Sequence, residues 1–210
     1  MIGISKLYCG TVEPSDALRY GRHSGQLPSH LLQFSADKKP VVVWNVTRRC
    51  NLKCVHCYAH AKDMEFPDEL STAEGKALLD DLAQFGCPVV LFSGGEPLMR
   101  KDLIELADYA VKKGMRAVIS TNGTLITPAV AQQLKSVGLS YVGISLDGME
   151  ETNDRFRGKP GAFQAALAGI HHAQLEQPGP VGIFNEGGNS ALLKETALCR
   201  NGSDLRHGMG

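Results

Sequence analysis

The chain has 210 residues, of which 43% are hydrophobic, and its 22 Lys and Arg residues balance 22 Asp and Glu residues. This length fits one domain with at most an appendage, and the apolar fraction is sufficient for a packed core. A net charge of zero gives no electrostatic case for a nucleic-acid partner. No apolar run reaches the ~18 residues of a membrane span, and no secretory signal is recognised, so a cytoplasmic location and metal-binding rather than disulfide-bonded cysteines are expected.

A cysteine motif follows the first predicted strand. After a predicted N-terminal extension over residues 1–39, the apolar run 41–44 indicates a buried strand, and Cys50, Cys54 and Cys57 come next in the spacing C-x3-C-x2-C. Three thiolates are too few for a closed structural zinc site, which takes four ligands. They suit a [4Fe-4S] cluster with three irons held by cysteine and one iron open to a small molecule. A zinc site completed by His60, or three unrelated buried thiols, are the alternatives.

Strands and helices alternate four times over the predicted core, residues 40–176. Helices are indicated by capping signals and apolar periodicity, and most of them end at a glycine. The predicted strands cover residues 41–44, 89–92, 116–120 and 141–146. This pattern predicts an α/β fold with a parallel sheet of about four βα units. Residues 177–210 are predicted to be an irregular tail without a fifth strand of comparable quality.

A polar motif follows the end of each predicted strand. The carboxyl ends of parallel strands share one edge of a sheet, and β/α barrels build active sites there. Glycines allow close approach to a ligand, and their unpaired N–H and C=O groups would bond an ammonium or carboxylate group beside the charge of Glu96. An ordinary glycine-rich turn, an N-cap at Asp147 and a surface arginine at Arg157 are the structural alternatives. The motifs are the cysteine loop, Ser93-Gly94-Gly95-Glu96-Pro97, Ser120-Thr121-Asn122-Gly123 and Ser145-Leu146-Asp147-Gly148.

Taken together, these motifs resemble those of the radical S-adenosylmethionine (SAM) superfamily, over residues 41 to about 176. The resemblance implies a partial (β/α) barrel with about four of the usual six βα units, a [4Fe-4S] cluster on Cys50, Cys54 and Cys57, and SAM as second cofactor. It also implies a set of residues around SAM, of which Gly94, Gly95, Glu96 and Pro97 hold its amino group, Asn122 lines its pocket, Ser145 and Arg157 contact its carboxylate, and Asp147 belongs to the fourth motif.

The same resemblance implies a mechanism. An electron from the reduced cluster splits the sulfonium C–S bond of SAM, and the resulting 5′-deoxyadenosyl radical removes a hydrogen atom from the substrate. The protein places that radical against one C–H bond and excludes water. The implied partner is an electron donor such as ferredoxin or flavodoxin. No catalytic side chain is assigned by the sequence.

A narrower resemblance concerns residues 1–10, 31–35 and 40–45. These segments are similar to enzymes of the alternative, sirohaem-dependent haem pathway, best to the deacetylase family that converts 12,18-didecarboxysirohaem to iron-coproporphyrin III. An iron tetrapyrrole is therefore the expected substrate, and loss of two acetate side chains the expected reaction. Neighbouring families that make the haem of nitrite reductase or modify peptides share the core motifs and remain alternatives.

The chain departs from this family after residue 176. Family members continue through further strands and a segment with cysteines for a second cluster, whereas only Cys199 follows here. We therefore expect a truncated or frame-shifted product, or a fragment, with an unpaired edge on the fourth strand, weak cluster binding and no product from a tetrapyrrole. A non-catalytic fragment that binds a cluster or zinc is the competing interpretation. Non-radical methyl transfer is disfavoured because it has no use for the cysteine loop.

Replacing Cys50, Cys54 or Cys57 with Ala is expected to abolish retention of iron after anaerobic reconstitution, because no other thiolate of the motif can substitute. Iron and sulfide per chain measure the effect. The control variants replace the cysteines outside the motif, which are Cys9, Cys87 and Cys199. Full iron content in C54A contradicts the cluster assignment, and a colourless zinc-loaded wild type favours the zinc alternative.

Overall fold

The computed structural model describes residues 39–176 and 181–184. The predicted N-terminal extension up to residue 38, most of the predicted tail, Cys9 and Cys199 lie outside the described residues. The domain boundaries after residues 39 and 176 stay predictions.

Five parallel strands form one sheet in the order β1-β2-β3-β4-β5. Each crossover leads to the neighbouring strand in the same direction, which is the winding of a β/α barrel rather than of a doubly wound sheet. The α/β fold with a parallel sheet is confirmed. The strands are β1 Val42–Thr47, β2 Val89–Gly94, β3 Arg116–Thr121, β4 Tyr141–Ser145 and β5 Val181–Phe184.

The helices between the strands begin and end where the sequence signals lie. Ser71 and Glu74 form the expected capping box, Gly86 closes the first helix in the left-handed conformation, and the Thr127 side chain accepts from the Val130 N–H. The helices are α1 Thr72–Phe85, α2 Leu103–Lys112, α3 Pro128–Ser136, α4 Glu150–Arg157 and α5 Ala162–Glu176, with a 3₁₀ turn at Pro97–Met99. Helix α4 was not predicted, because it is short and too polar for an apolar stripe to reveal it.

The prediction of an unpaired edge on β4 is wrong. Strand β5 pairs with β4 in parallel from Val142↔Val181 to Ser145↔Phe184. Its four residues are too few to show a periodic pattern, and proline and glycine residues precede them. The N–H and C=O groups along the free edge of β4 need hydrogen-bond partners, and the backbone of the short apolar segment 181–184 supplies them.

Burial alternates along the sheet. Val90 and Phe92 of β2 are fully buried, as is Ile119 of β3, whereas Leu91 and Ser93 are partly exposed. The buried residues share one core cluster with Leu79, Leu106 and Leu134 of the helices. One face of the sheet therefore packs on helices, and the other face stays partly open towards its carboxyl edge. Among residues 39–176 and 181–184, no helix is long and apolar enough to cross a membrane.

Candidate active site

The cysteine loop leaves the carboxyl end of β1 and is closed at its base. Arg49 and Lys62 form an isolated parallel bridge, with the Cys50 N–H donating to Lys62 O at 3.1 Å and the Lys62 N–H donating to Arg48 O at 3.2 Å. The Glu69 carboxylate accepts from the Thr47 hydroxyl at 2.9 Å and from the Arg48 N–H. The two ends of the loop are thus fixed by backbone pairing and one carboxylate.

The three thiols of the motif are free, and each has a donor near its sulfur. The Leu52 N–H points to Cys50 Sγ and the Ala61 N–H to Cys57 Sγ, both at 3.4 Å, and Arg157 Nη1 lies 3.9 Å from Cys54 Sγ. Burial raises the pKa of Cys50 to about 11 and raises that of Cys54, although the Arg157 charge opposes the second shift. Thiolates this buried require a strong positive partner, which bound iron would supply.

A single metal ion and an iron–sulfur cluster need different arrangements of their protein ligands. No three His, Cys, Asp or Glu side chains within the described ranges converge so as to hold one ion. His60, the proposed fourth zinc ligand, is exposed and has a positive φ of 47°. A zinc site needs four ligands around one point. The three thiolates of a [4Fe-4S] cluster each bind a different iron and need not converge on one point.

The Gly94-Gly95-Glu96 turn at the end of β2 packs directly on the base of the cysteine loop. The Gly95 N–H donates to Thr47 O at 2.7 Å, and the Glu96 N–H donates to Arg49 O at 2.8 Å. A Cβ on Gly94 would lie 2.3 Å from Thr47 O, and one on Gly95 would lie 2.5 Å from Arg49 O. The prediction that the glycines present unpaired N–H groups to a ligand is therefore wrong for Gly95, whose N–H binds the loop, as the N–H of Glu96 also does.

The Glu96 side chain is fully buried and points along the strand ends. Its Oε1 accepts from the Thr121 hydroxyl at 2.7 Å and the Leu98 N–H at 3.0 Å, and its Oε2 accepts from the Asn122 N–H at 2.8 Å. Burial raises the pKa of this carboxyl, against the effect of the three donors. The Glu96 carboxyl thereby joins the end of β2 to the end of β3. Pro97, also buried, starts the 3₁₀ turn behind it.

Asn122, the predicted pocket residue of the third motif, is 7% exposed and bonds to the cysteine loop. Its Nδ2 donates to Asn51 Oδ1 at 2.9 Å, and its Oδ1 accepts from Thr124. The sequence reasoning missed Asn51 and Thr124. The position of Asn51 directly after Cys50 is a signal that could have identified it, whereas nothing local distinguishes Thr124.

Arg157 and Asp147 form a buried pair at the end of β4, so Arg157 is no surface arginine. Arg157 Nε lies 2.7 Å from Asp147 Oδ2, and His56 Nε2 lies 3.6 Å from the same oxygen. The Nε hydrogen does not point at that oxygen, so Arg157 Nε and Nη2 are buried without a hydrogen-bond acceptor. Ser145, half-buried, ends the same strand. An unpaired guanidinium nitrogen beside Cys54 is the donor that a ligand carboxylate would use.

Helix α4 carries Arg157 to the loop by close backbone packing. The Lys53 N–H donates to Arg157 O at 3.1 Å, and the Val55 N–H donates to Phe156 O at 2.9 Å. Gly158 ends the helix with φ of 63°, and a Cβ there would lie 2.3 Å from Lys53 O. The helix end and the outer side of the cysteine loop therefore fit only when this residue is glycine.

Gly158→Ala is expected to lower the free energy of unfolding more than Gly161→Ala does. Gly161 has a similar φ of 78°, but a Cβ there would meet nothing within 4 Å. In both variants the free energy of unfolding is expected to fall by about 1–2 kcal/mol, because alanine is strained in the left-handed conformation. In Gly158→Ala it falls by a further ~1–3 kcal/mol, because the new Cβ collides with Lys53 O. Urea unfolding measures both, and equal losses contradict the proposed close packing.

Comparison with known proteins agrees with this geometry. Residues 44–183 match the family model of the radical SAM superfamily. The Fe-coproporphyrin III synthase of Methanosarcina barkeri is 78% identical over 176 residues, which are 84% of this chain and 44% of that protein. The pre-heme d1 synthase of Dinoroseobacter shibae is 49% identical over 132 residues, 63% of this chain and 33% of that protein. This chain thus spans less than half the length of these curated relatives.

A solved structure has the same fold. The chain of anSMEcpe with bound AdoMet superposes with a TM-score of 0.58 at 22% identity, over 69% of this chain and 43% of that one. The family assignment rests on three findings, which are five consecutive parallel strands, a three-cysteine loop after β1 and the family match over residues 44–183. The chain belongs to the radical SAM superfamily, whose cofactors are SAM and an iron–sulfur cluster.

Proposed function

We propose that this chain binds a [4Fe-4S] cluster through Cys50, Cys54 and Cys57 and binds SAM at the carboxyl edge of its sheet, as a radical-generating enzyme. The observation that carries the proposal is the buried Arg157 guanidinium, which lies beside Cys54 Sγ and keeps Nη2 unpaired. When bound, the cluster supplies the electron that cleaves the sulfonium C–S bond of SAM to a 5′-deoxyadenosyl radical.

The residues of this chain prepare that chemistry by position and charge. Each of the three sulfurs has a donor beside it. Burial raises the pKa of Cys50 and Cys54, so these two thiols would give up their protons only to a strong positive partner such as iron. Asp147 holds Arg157 in place, so that Nη2 would meet the SAM carboxylate without reorganisation. Ser145, at the end of β4, is the second residue that we propose to contact the SAM carboxylate. Because the N–H groups of Gly95 and Glu96 bind the loop, any contact of the glycine turn with the SAM ammonium would use carbonyl oxygens.

The proposed substrate is an iron tetrapyrrole with acetate side chains, converted from 12,18-didecarboxysirohaem to iron-coproporphyrin III. The support is the 78% identity to a protein named Fe-coproporphyrin III synthase. A pre-heme d1 synthase at 49% identity makes that tetrapyrrole pathway the second candidate. A one-electron donor such as ferredoxin or flavodoxin is the proposed partner, and the cytoplasm the proposed location.

Arg157→Ala is expected to weaken SAM binding to the reconstituted protein by about tenfold or more, because a charge-assisted hydrogen bond contributes about 1.5–3 kcal/mol. Arg155→Ala is the matched control, since Arg155 lies on the same helix but is exposed. Titration of SAM against both variants, with iron content determined in parallel, measures the effect. Unchanged SAM affinity at full iron content places the carboxylate site elsewhere.

The substrate assignment is tested with 12,18-didecarboxysirohaem, SAM and a reductant, given to this chain and to the longer Methanosarcina barkeri relative. We expect 5′-deoxyadenosine from both proteins and none from Cys54→Ala. Iron-coproporphyrin III is expected from the longer protein, and its formation by the 210-residue chain would show that the additional residues are not required. If only a peptide or only the haem d1 precursor is converted, that compound replaces the proposed substrate, and the proposed radical chemistry still holds.

A further inference from the structure

Three side chains form a closed ring of hydrogen bonds between the cysteine loop and the end of β3. Asn122 Nδ2 donates to Asn51 Oδ1 at 2.9 Å, Asn51 Nδ2 donates to the Thr124 hydroxyl at 2.9 Å, and that hydroxyl donates to Asn122 Oδ1 at 2.7 Å. Asn122 is 7% exposed, and the other two side chains are partly buried. The ring links residues more than seventy positions apart in the chain.

One backbone group determines the direction of every bond in the ring. The Thr124 N–H donates at 2.9 Å to one terminal atom of the Asn122 amide, so that atom must be the oxygen. The other atom is then the nitrogen, which requires the oxygen of Asn51 as acceptor and leaves the Asn51 nitrogen for the Thr124 hydroxyl. The hydroxyl can give its hydrogen only to Asn122 Oδ1. The network therefore has one consistent arrangement.

The ring also uses most of the bonding capacity of Asn122. Its oxygen accepts twice from Thr124, which fills both lone pairs, and one of its two N–H bonds goes to Asn51. Its backbone N–H donates to the buried Glu96 carboxylate. A single side-chain N–H remains for any ligand, so Asn122 is far more committed to the cysteine loop than to a SAM pocket.

We propose that Asn51, Thr124 and Asn122 are positioning residues that hold the cysteine loop in the conformation that binds the cluster. This inference rests on the proposed function for its cluster, but the ring itself belongs to the metal-free chain. Asn51 follows Cys50 directly, and the Cys50 N–H is already bonded to Lys62 O. Fixing the Asn51 side chain therefore limits rotation of the backbone between Cys50 and Leu52, whose N–H donates to Cys50 Sγ.

The decisive variants are Thr124→Val, which removes the hydroxyl and keeps the shape, and Thr124→Ser, which restores the hydroxyl. Thr72→Val is the matched control, because the Thr72 hydroxyl donates at the same 2.7 Å to Asp102, which is not part of the cysteine loop. Hydrogen exchange of residues 51–57 in the metal-free chain is the first readout. Release of iron from the reconstituted chain to a chelator is the second, and SAM affinity of the loaded chain is the third.

Thr124→Val is expected to speed both exchange of residues 51–57 and iron release by about tenfold, because it removes the two hydrogen bonds of the hydroxyl, one from Asn51 and one to Asn122. Thr124→Ser and Thr72→Val are expected to leave the rates of exchange and of iron release near those of the wild type. The double variant Asn51→Ala/Thr124→Val is expected to raise these rates no further than the more severe of the two single variants does. SAM affinity of loaded Thr124→Val stays within about twofold, since its hydroxyl belongs to the loop rather than the ligand.

An unchanged rate of exchange in Thr124→Val overturns the proposal. Additive effects of Asn51→Ala and Thr124→Val on the exchange rate overturn it as well, because residues of one ring must act together. An Asn122→Ala variant that loses SAM affinity but releases iron at the wild-type rate overturns it too, because Asn122 is then a ligand contact. The exchange measurement needs no cluster. A wild type that binds no iron refutes the proposed function, while altered exchange in T124V still shows the ring holding the loop.

Discussion

The close backbone contact between the glycine turn after β2 and the base of the cysteine loop is the constraint on which the site depends. The N–H groups of Gly95 and Glu96 bind carbonyls of residues 47 and 49, at a distance where any Cβ on Gly94 or Gly95 would collide. Hydrogen bonds between backbones leave little freedom in direction, so the loop starts at one defined angle from the sheet. Glu96 then turns its carboxylate inward and extends the same support to β3.

A second contact fixes the far side of the loop and introduces charge. The end of α4 pairs with residues 53 and 55, and Gly158 makes the approach possible. Arg157 is thereby placed, 8% exposed, between Asp147 and Cys54. A buried guanidinium with one partner is costly unless a further anion completes its bonding. Thiolates and a ligand carboxylate are anions of the required kind, which connects the electrostatics of this chain to the cofactors of its superfamily.

The sheet explains why these supports meet. Five parallel strands in consecutive order have all their carboxyl ends at one edge of the sheet, and helices pack on one of its two faces. Strand β5 protects the outer edge of β4 by backbone pairing, although its sequence carries no periodic signal. The motifs after β2, β3 and β4 therefore all contact the loop that follows β1, through the N–H groups of Gly95 and Glu96, the Asn122 side chain and Asp147 beside His56.

The sequence by itself determined the α/β class, the positions of β1 to β4, most helix caps and the three cysteines, because these depend on local periodicity and spacing. It also identified Arg157, through a motif resemblance. Tertiary structure alone decided which groups the motif residues bind. The Asn122 side chain and the Gly95 N–H bind the cysteine loop, and the Glu96 carboxylate binds the end of β3, through partners such as Asn51, Thr47 and Thr121 that are distant in sequence. Pairing of β5 and formation of α4 were likewise decided by contacts, because short segments of four and eight residues have too little local signal to specify themselves.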